Sequence, residues 1–181
     1  VITISYGYGL AISPLHVLSC IGGLVGEGRR LEATLVKREK GWQPTGVRVV
    51  SRKTAQSMLQ LMRFVVTQGT SGKADVSGYF IAGKTGTADL LMNGRYNKQR
   101  VSTSFVGILG QDVENPRYIL IVRLDDPKRL KKTMGFNAAG WNAAPVGGRI
   151  LERIAGISGI LPREDGSKVV DPFFRNASFR K

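Results

Sequence analysis

Gly78-Tyr79-Phe80-Ile81-Ala82-Gly83-Lys84-Thr85-Gly86-Thr87-Ala88-Asp89 starts as a strand and passes into a glycine-spaced run holding one lysine and two threonines. If the extended backbone persists, the two-residue period puts Thr85 and Thr87 on one face and Lys84 on the other. Gly83 and Gly86 flank the lysine and offer no side chain, which in a strand costs packing. They mark a place where something approaches the backbone closely. A lysine, two hydroxyls and strand amides on an edge suit an anionic, peptide-like ligand. The hydroxyls bond a carboxylate, the lysine adds positive charge, and main-chain groups pair as in strand addition.

Working outward, Asn93-Gly94 signals a turn after this strand. Ser102 to Leu109 and Tyr118 to Leu124 are β-rich runs separated by Asn115-Pro116, which predicts an antiparallel hairpin. Before the motif, Ser51 caps a helix whose apolar face is Ala55, Met58, Leu59, Met62, Val65 and Val66. Gln68-Gly69-Thr70-Ser71-Gly72-Lys73 stops it and returns the chain to the edge strand. Gly69-Thr70 has two readings that stand side by side: an ordinary C-cap loop, or a wall of the cleft beside Lys84. Further upstream, alternation predicts a strand over Leu31 to Arg38, followed by a Gly41-Trp42-Gln43-Pro44 turn. Ser13-Pro14 reads as an N-cap with proline at the first helical position. The helix it opens carries Leu15, Leu18, Ile21 and Val25, with Val17 and Leu24. No charged residue occurs from Val1 to Gly26, so this helix is expected to be central and covered all round. Ala143 to Ile157 is a closing helix, with Val146, Ile150, Ile154 and Ile157 expected to face the sheet.

Lys84-Thr85-Gly86, extended to Thr87-Ala88, resembles the third motif of penicillin-binding proteins and serine β-lactamases. Gly69-Thr70 with Ala74 resembles the "GT…A" segment of transpeptidases. Tyr6-Gly7-Tyr8-Gly9 and Ser13-Pro14-Leu15 resemble the "GYG…TPLQ" helix start of class B penicillin-binding proteins. Asp125-Asp126-Pro127 and Ala143-Ala144-Pro145-Val146 resemble their "DEP" and "AAPV" segments. The matches run in order from about Tyr6 to about Leu161. On these residues the chain is similar to class B penicillin-binding proteins of the cell-division D,D-transpeptidase (penicillin-binding protein 3-like) branch. It matches the C-terminal part of their transpeptidase domain.

One departure accompanies the match. The family's nucleophile lies in Ser-x-x-Lys and its second motif is Ser-x-Asn, both upstream of the matched part. Here Ser-x-x-Lys occurs only as Ser178-Phe179-Arg180-Lys181, in a basic tail, and Ser-x-Asn does not occur. Ser178 is read as coincidence, so the chain is expected to lack the acylating serine.

The element order gives an α+β fold, an antiparallel sheet flanked by helices. The resemblance sharpens this to a partial serine β-lactamase/D,D-peptidase-like transpeptidase fold with Lys84-Thr85-Gly86 on the sheet edge. Residues 1–162 are expected to form that part of the domain and 163–181 a basic, loosely ordered tail. The resemblance implies an acyl-enzyme reaction that cross-links peptidoglycan stem peptides and is blocked by penicillin. It implies catalytic roles for Lys84, as a source of positive field beside the missing Ser-x-Asn serine, and for Thr87, whose N–H is one oxyanion donor. It implies a substrate-binding set of Thr85, Gly86, Thr87 and Ala88, with the two hydroxyls on the terminal carboxylate. Position 89 is Asp, where many relatives carry a basic or uncharged polar residue, so no ligand contact is carried over to Asp89.

Implied partners are the stem peptide, β-lactam antibiotics, the upstream part of the same domain and membrane proteins of the division machinery. The implied location is the bacterial inner membrane with the domain in the periplasm, the anchor lying upstream. A non-turnover β-lactam sensor or partner-binding module of the same fold is the alternative.

The 181 residues hold 27 Lys+Arg against 13 Asp+Glu, a formal charge of +14. That excess suits anionic lipid or cell-wall polymer. Nucleic acid is not expected as a partner, because no aromatic-basic interleaving or nucleic-acid motif accompanies the charge. Neither a metal-ligand cluster nor a phosphate loop is visible, so no cofactor or metal is expected. His16, the single histidine, is read as a core or surface residue, and Cys20, in an apolar run, as a buried structural thiol. No signal peptide or spanning segment is recognised.

Overall fold

The computed structural model describes residues 9–163 apart from 40, 43, 44 and 93, together with residues 4 and 7. Tyr6, Tyr8, Gln43, Pro44, Asn93 and the tail beyond Arg163, including Ser178, lie outside the described residues.

The order is helix α1 (Pro14–Val25), short strands β1 (Arg29–Leu31) and β2 (Gly46–Arg48), and helix α2 (Arg52–Gln68). Strands β3 (Phe80–Met92), β4 (Arg95–Gly110) and β5 (Pro116–Asp125) follow, then helix α3 (Ala143–Ile157). Strands β3, β4 and β5 form an antiparallel sheet in that order, so β3 is a sheet edge. Lys84 stands opposite Val106, Gly86 opposite Ser104 and Thr87 opposite Thr103. The α+β architecture and the β4–β5 hairpin are as expected from the sequence.

Local chemistry sets the helix starts. Ser13 Oγ accepts from the His16 N–H at 3.2 Å and Ser51 Oγ from the Thr54 N–H at 3.1 Å, each satisfying one of the unpaired donors of a first turn. Asn142 Oδ1 accepts from the Ala143 N–H at the start of α3.

The sheet buries both faces. Phe80, Ala82 and Ile108 pack with Val25, Leu59 and Met62 on the α1/α2 side. Ile81, Phe105, Leu109 and Val122 pack with Val66, Leu151 and Ala155 on the side that α3 covers. Helix α2 therefore feeds both cores. It is also tied to β3 by Arg63, which is buried. Its Nη1 donates to Asp75 Oδ1 at 2.6 Å and to the Ile81 carbonyl at 2.7 Å.

Phe105 explains three glycines at once. A Cβ on Gly83, Gly107 or Gly147 would lie 2.6, 2.7 or 2.3 Å from its ring. Gly83 and Gly107 are cross-strand partners. The ring thus sits in a slot floored by the sheet and roofed by α3. This gives the expectation for Gly83 its content: what approaches its backbone closely is the Phe105 ring.

Four expectations are corrected. The strand expected over Leu31 to Arg38 ends at Leu31, and Leu35 is 97% exposed. Its partner is the three-residue β2, which leaves the later alternating residues nothing to pair with or pack on. Helix α1 is not covered all round: of its residues only Gly23 and Val25 are buried, and Leu15 is half exposed. Cys20 is accordingly exposed rather than buried. On α3 the buried face is Ala143, Ala144, Gly147, Gly148, Leu151 and Ala155, with Val146 and Ile154 flanking it. Ile150 and Ile157 point away, Ile157 at 88% exposure. The small residues win that face because α3 must lie against Phe105 and the Ala74 backbone, where a β-carbon on Gly147 or Gly148 would collide. Among the described residues no helix is long and apolar enough to cross a membrane.

Candidate active site

Lys84 leaves the exposed middle of β3 on the α1/α2 side of the sheet, and its Nζ donates to the Thr85 carbonyl at 2.7 Å. Thr85 and Thr87 leave the opposite face, the alternation expected of an unbroken strand. Each hydroxyl is already engaged. Thr85 Oγ1 lies 2.8 Å from Thr70 Oγ1. Thr87 Oγ1 accepts from the Ala139 N–H at 3.0 Å. A hydroxyl that accepts a bond keeps its own proton to donate, so the Ala139 amide orients Thr87 as a donor to an incoming anion. Thr70 does the same for Thr85 when it is the donor of their shared bond.

Gly69-Thr70 closes the helix as the C-cap reading expects, and Thr70 also reaches the Thr85 side of β3. The Gly69 N–H closes α2 on the Val65 carbonyl at 3.1 Å, while the next residue carries the hydroxyl that touches Thr85. Gly86 lies on the Lys84 face, where a β-carbon would come within 2.8 Å of Ser104 Oγ. Beneath it is a cavity of about 300 Å³ lined by Gly86, Thr87, Ala88, Ser102, Ser104 and Arg123, and walled by Pro14 and Val17 of α1. Arg123 Nε donates to Ser102 Oγ at 3.2 Å and to Asp125 Oδ1 at 3.1 Å. The Ser102 hydroxyl, then Arg123, holds the Asp125 carboxyl below its ordinary range. Among the described residues no group of three or more His, Cys, Asp or Glu could hold a metal ion.

Two contributors were missed in the sequence. The Ala139 amide is a backbone group and carries no residue signature. The Arg63–Asp75 pair spans two elements, and neither residue type announces burial. His16 is exposed, as one of its two readings allowed.

The edge strand presents Lys84 on one face and the Thr85 and Thr87 hydroxyls on the other, with Thr87 Oγ1 accepting from the Ala139 N–H. Residues 2–152 match the family model described as penicillin binding protein transpeptidase domain, and the chain belongs to that family. Among its relatives is the probable peptidoglycan D,D-transpeptidase FtsI of Caulobacter vibrioides, 39% identical over 163 residues. That alignment covers 86% of this chain and 28% of the relative, so the chain spans little more than a quarter of that protein's length. Among solved structures, the apo transpeptidase domain of Burkholderia pseudomallei penicillin-binding protein 3 superposes with a TM-score of 0.76. It is 32% identical and covers 88% of this chain and 46% of that one. Penicillin-binding protein 3 of Mycobacterium tuberculosis, solved with ampicillin, gives a TM-score of 0.71 at 30% identity, covering 88% and 38%.

Proposed function

We propose that this chain is the C-terminal part, residues 1–162, of a peptidoglycan D,D-transpeptidase domain, with 163–181 as a basic tail. The observation that carries the reading is the edge strand holding Lys84-Thr85-Gly86-Thr87, with Thr87 oriented by the Ala139 amide and Thr85 in contact with Thr70. The proposed reaction is acyl transfer. A serine from the upstream part of the domain attacks the penultimate D-Ala carbonyl of a stem peptide, terminal D-Ala leaves, and an amine of a neighbouring stem takes the acyl group. Thr85 and Thr87 hold the terminal carboxylate, the Thr87 N–H stabilises the oxyanion, and Lys84 supplies positive field to the serine's side of the cleft. Gly86 and Ala88 complete the strand along which the peptide lies.

A β-lactam presents a carboxylate and an acyl carbonyl in the same relation, and the Mycobacterium tuberculosis relative solved with ampicillin supports the same ligand class here. Transpeptidase names among the relatives favour turnover over a non-turnover sensor. Anchoring in the bacterial inner membrane with the domain in the periplasm, and contacts with membrane proteins of the division machinery, belong to this proposal.

The test is acylation by a fluorescent penicillin in the intact protein that carries this chain. Thr87→Val is expected to slow it about 10- to 100-fold, because hydrogen bonds to a charged acceptor contribute about 1.5–3 kcal/mol. Unchanged acylation would remove Thr87 from the site.

A further inference from the structure

A second cavity, of about 390 Å³, opens between the end of β5, the loop that follows it and the first turns of α3. It shares no lining residue with the cavity beneath Gly86. Among the described residues four cations line it, Lys73, Lys128, Lys132 and Arg149, and no carboxylate does. Lys128 has Asp126 at 2.8 Å, but Asp126 is shared with Arg100 at 3.1 Å. Lys73 Nζ stands 4.2 Å over the Trp141 ring, stabilised by the aromatic face instead of by an anion. Among the described residues no ion pair reaches Lys73, Lys132 or Arg149.

On an open convex surface such charges would separate into solvent. Here four come from three segments of the chain, the α2–β3 connection, the β5–α3 loop and α3, into one concavity, where their fields add and draw in a counter-ion. A carboxylate brings a single charge and leaves most of that field uncompensated. A phosphate brings about one and a half to two charges at neutral pH and three strong acceptors, and a diphosphate brings more. Lysines bind phosphate as point charges and an arginine can grip it with two parallel bonds. The volume lies in the range of small-ligand clefts.

We propose that this cavity binds a phosphate-class polyanion, held by Lys73, Lys132 and Arg149 with Lys128 at its rim. The cavity shares no lining residue with the one beneath Gly86, and the proposal does not rest on the transpeptidase reading.

The probe is inorganic pyrophosphate, titrated calorimetrically into the intact protein at constant ionic strength. Saturable one-to-one binding is expected. Lys132→Ala and Arg149→Ala should each weaken it about tenfold or more, since each removes a charge-assisted contact. Lys132→Arg should retain it, and Arg29→Ala, on β1, should leave it unchanged. Independently of any variant, pyrophosphate should protect Lys73 and Lys132, but not Lys53, from acetylation. Fluorescent-penicillin labelling should be the same in all these variants. Sedimentation with phosphatidylglycerol against phosphatidylcholine vesicles identifies the source. Pyrophosphate-sensitive capture by the former assigns the phosphate to a lipid headgroup, and binding of pyrophosphate without capture assigns it to a soluble ligand. The proposal is overturned by absent or non-saturable binding, by equal affinity in the alanine variants, or by acetylation that pyrophosphate does not slow at Lys73 and Lys132.

Discussion

Lys84 and Thr87 leave one strand on opposite faces, and their surroundings differ in kind. Lys84 is exposed, and its ammonium donates to the neighbouring Thr85 carbonyl, so its removal should hardly disturb the fold. Lys84→Ala in the intact protein is expected to lower penicillin acylation about a hundredfold or more while stability stays within about 0.5 kcal/mol. Near-normal acylation, or loss of folding at 37 °C, would count against a role in the site. Asp126 is a different case, a residue in left-handed backbone with φ 51 whose N–H bonds the Val101 carbonyl. The Lys128 ammonium, then the Arg100 charge, holds its carboxyl below the ordinary 3.8. A depressed folded-state value means its contribution is present above about pH 4 and is lost as pH falls through the folded value. Asp126→Asn should therefore flatten part of the acid limb of the stability profile below about pH 4 and leave the pH dependence near pH 7, where this carboxyl is ionised in both states, unchanged. An acid limb identical to the parent's would show that the pair contributes nothing.

Helix α3 and strand β3 illustrate how an element is chosen by its partner. Alanine ordinarily favours a helix over glycine by about 1 kcal/mol. At Gly156, where a β-carbon meets nothing within 4 Å, Gly156→Ala should raise stability by about 0.5–1 kcal/mol. At Gly147 the same change puts the carbon 2.3 Å from a fully buried Phe105 that Gly83 and Gly107 already confine. Overpacking there costs about 1–3 kcal/mol, which outweighs the propensity gain, so Gly147→Ala should destabilise. Thermal denaturation of the two variants side by side checks the sign of each. The Arg63–Asp75 pair joins α2 to the entrance of β3. Asp75→Ala leaves a buried guanidinium with one partner fewer and is expected to cost about 3–5 kcal/mol in denaturant titration. A loss below 1 kcal/mol would mean water replaces the carboxylate.

At the scale of the whole molecule, the 181-residue chain is expected to form no covalent adduct with a fluorescent penicillin. On the proposed reading Thr85 and Thr87 hold an anion, and a threonine hydroxyl becomes a nucleophile only with a base in reach. Lys84, on the other face of β3, is badly aimed for either. Adding the upstream part of the domain should restore labelling, at a serine outside Val1–Lys181. A stoichiometric adduct on any residue of this chain, seen by intact-mass and peptide mass spectrometry, would sink the reading. What the sequence determined by itself was the short-range part of this picture. Ser13 and Ser51 start helices through bonds three residues long, Asn115-Pro116 joins β4 to β5, and the glycine-spaced Lys84-Thr85-Gly86-Thr87 run carries its motif within five residues. What only the tertiary structure decided was which surfaces meet. Leu35 alternates like a strand residue yet is exposed for want of a partner, and Cys20 sits in an apolar run on a helix left uncovered. Ile150 and Ile157 yield the buried side of α3 to glycines, and the Ala139 amide reaches Thr87 from 52 residues away. The reason is physical: caps and turns are closed by neighbouring atoms, whereas burial depends on volume and donors supplied by segments remote in the chain.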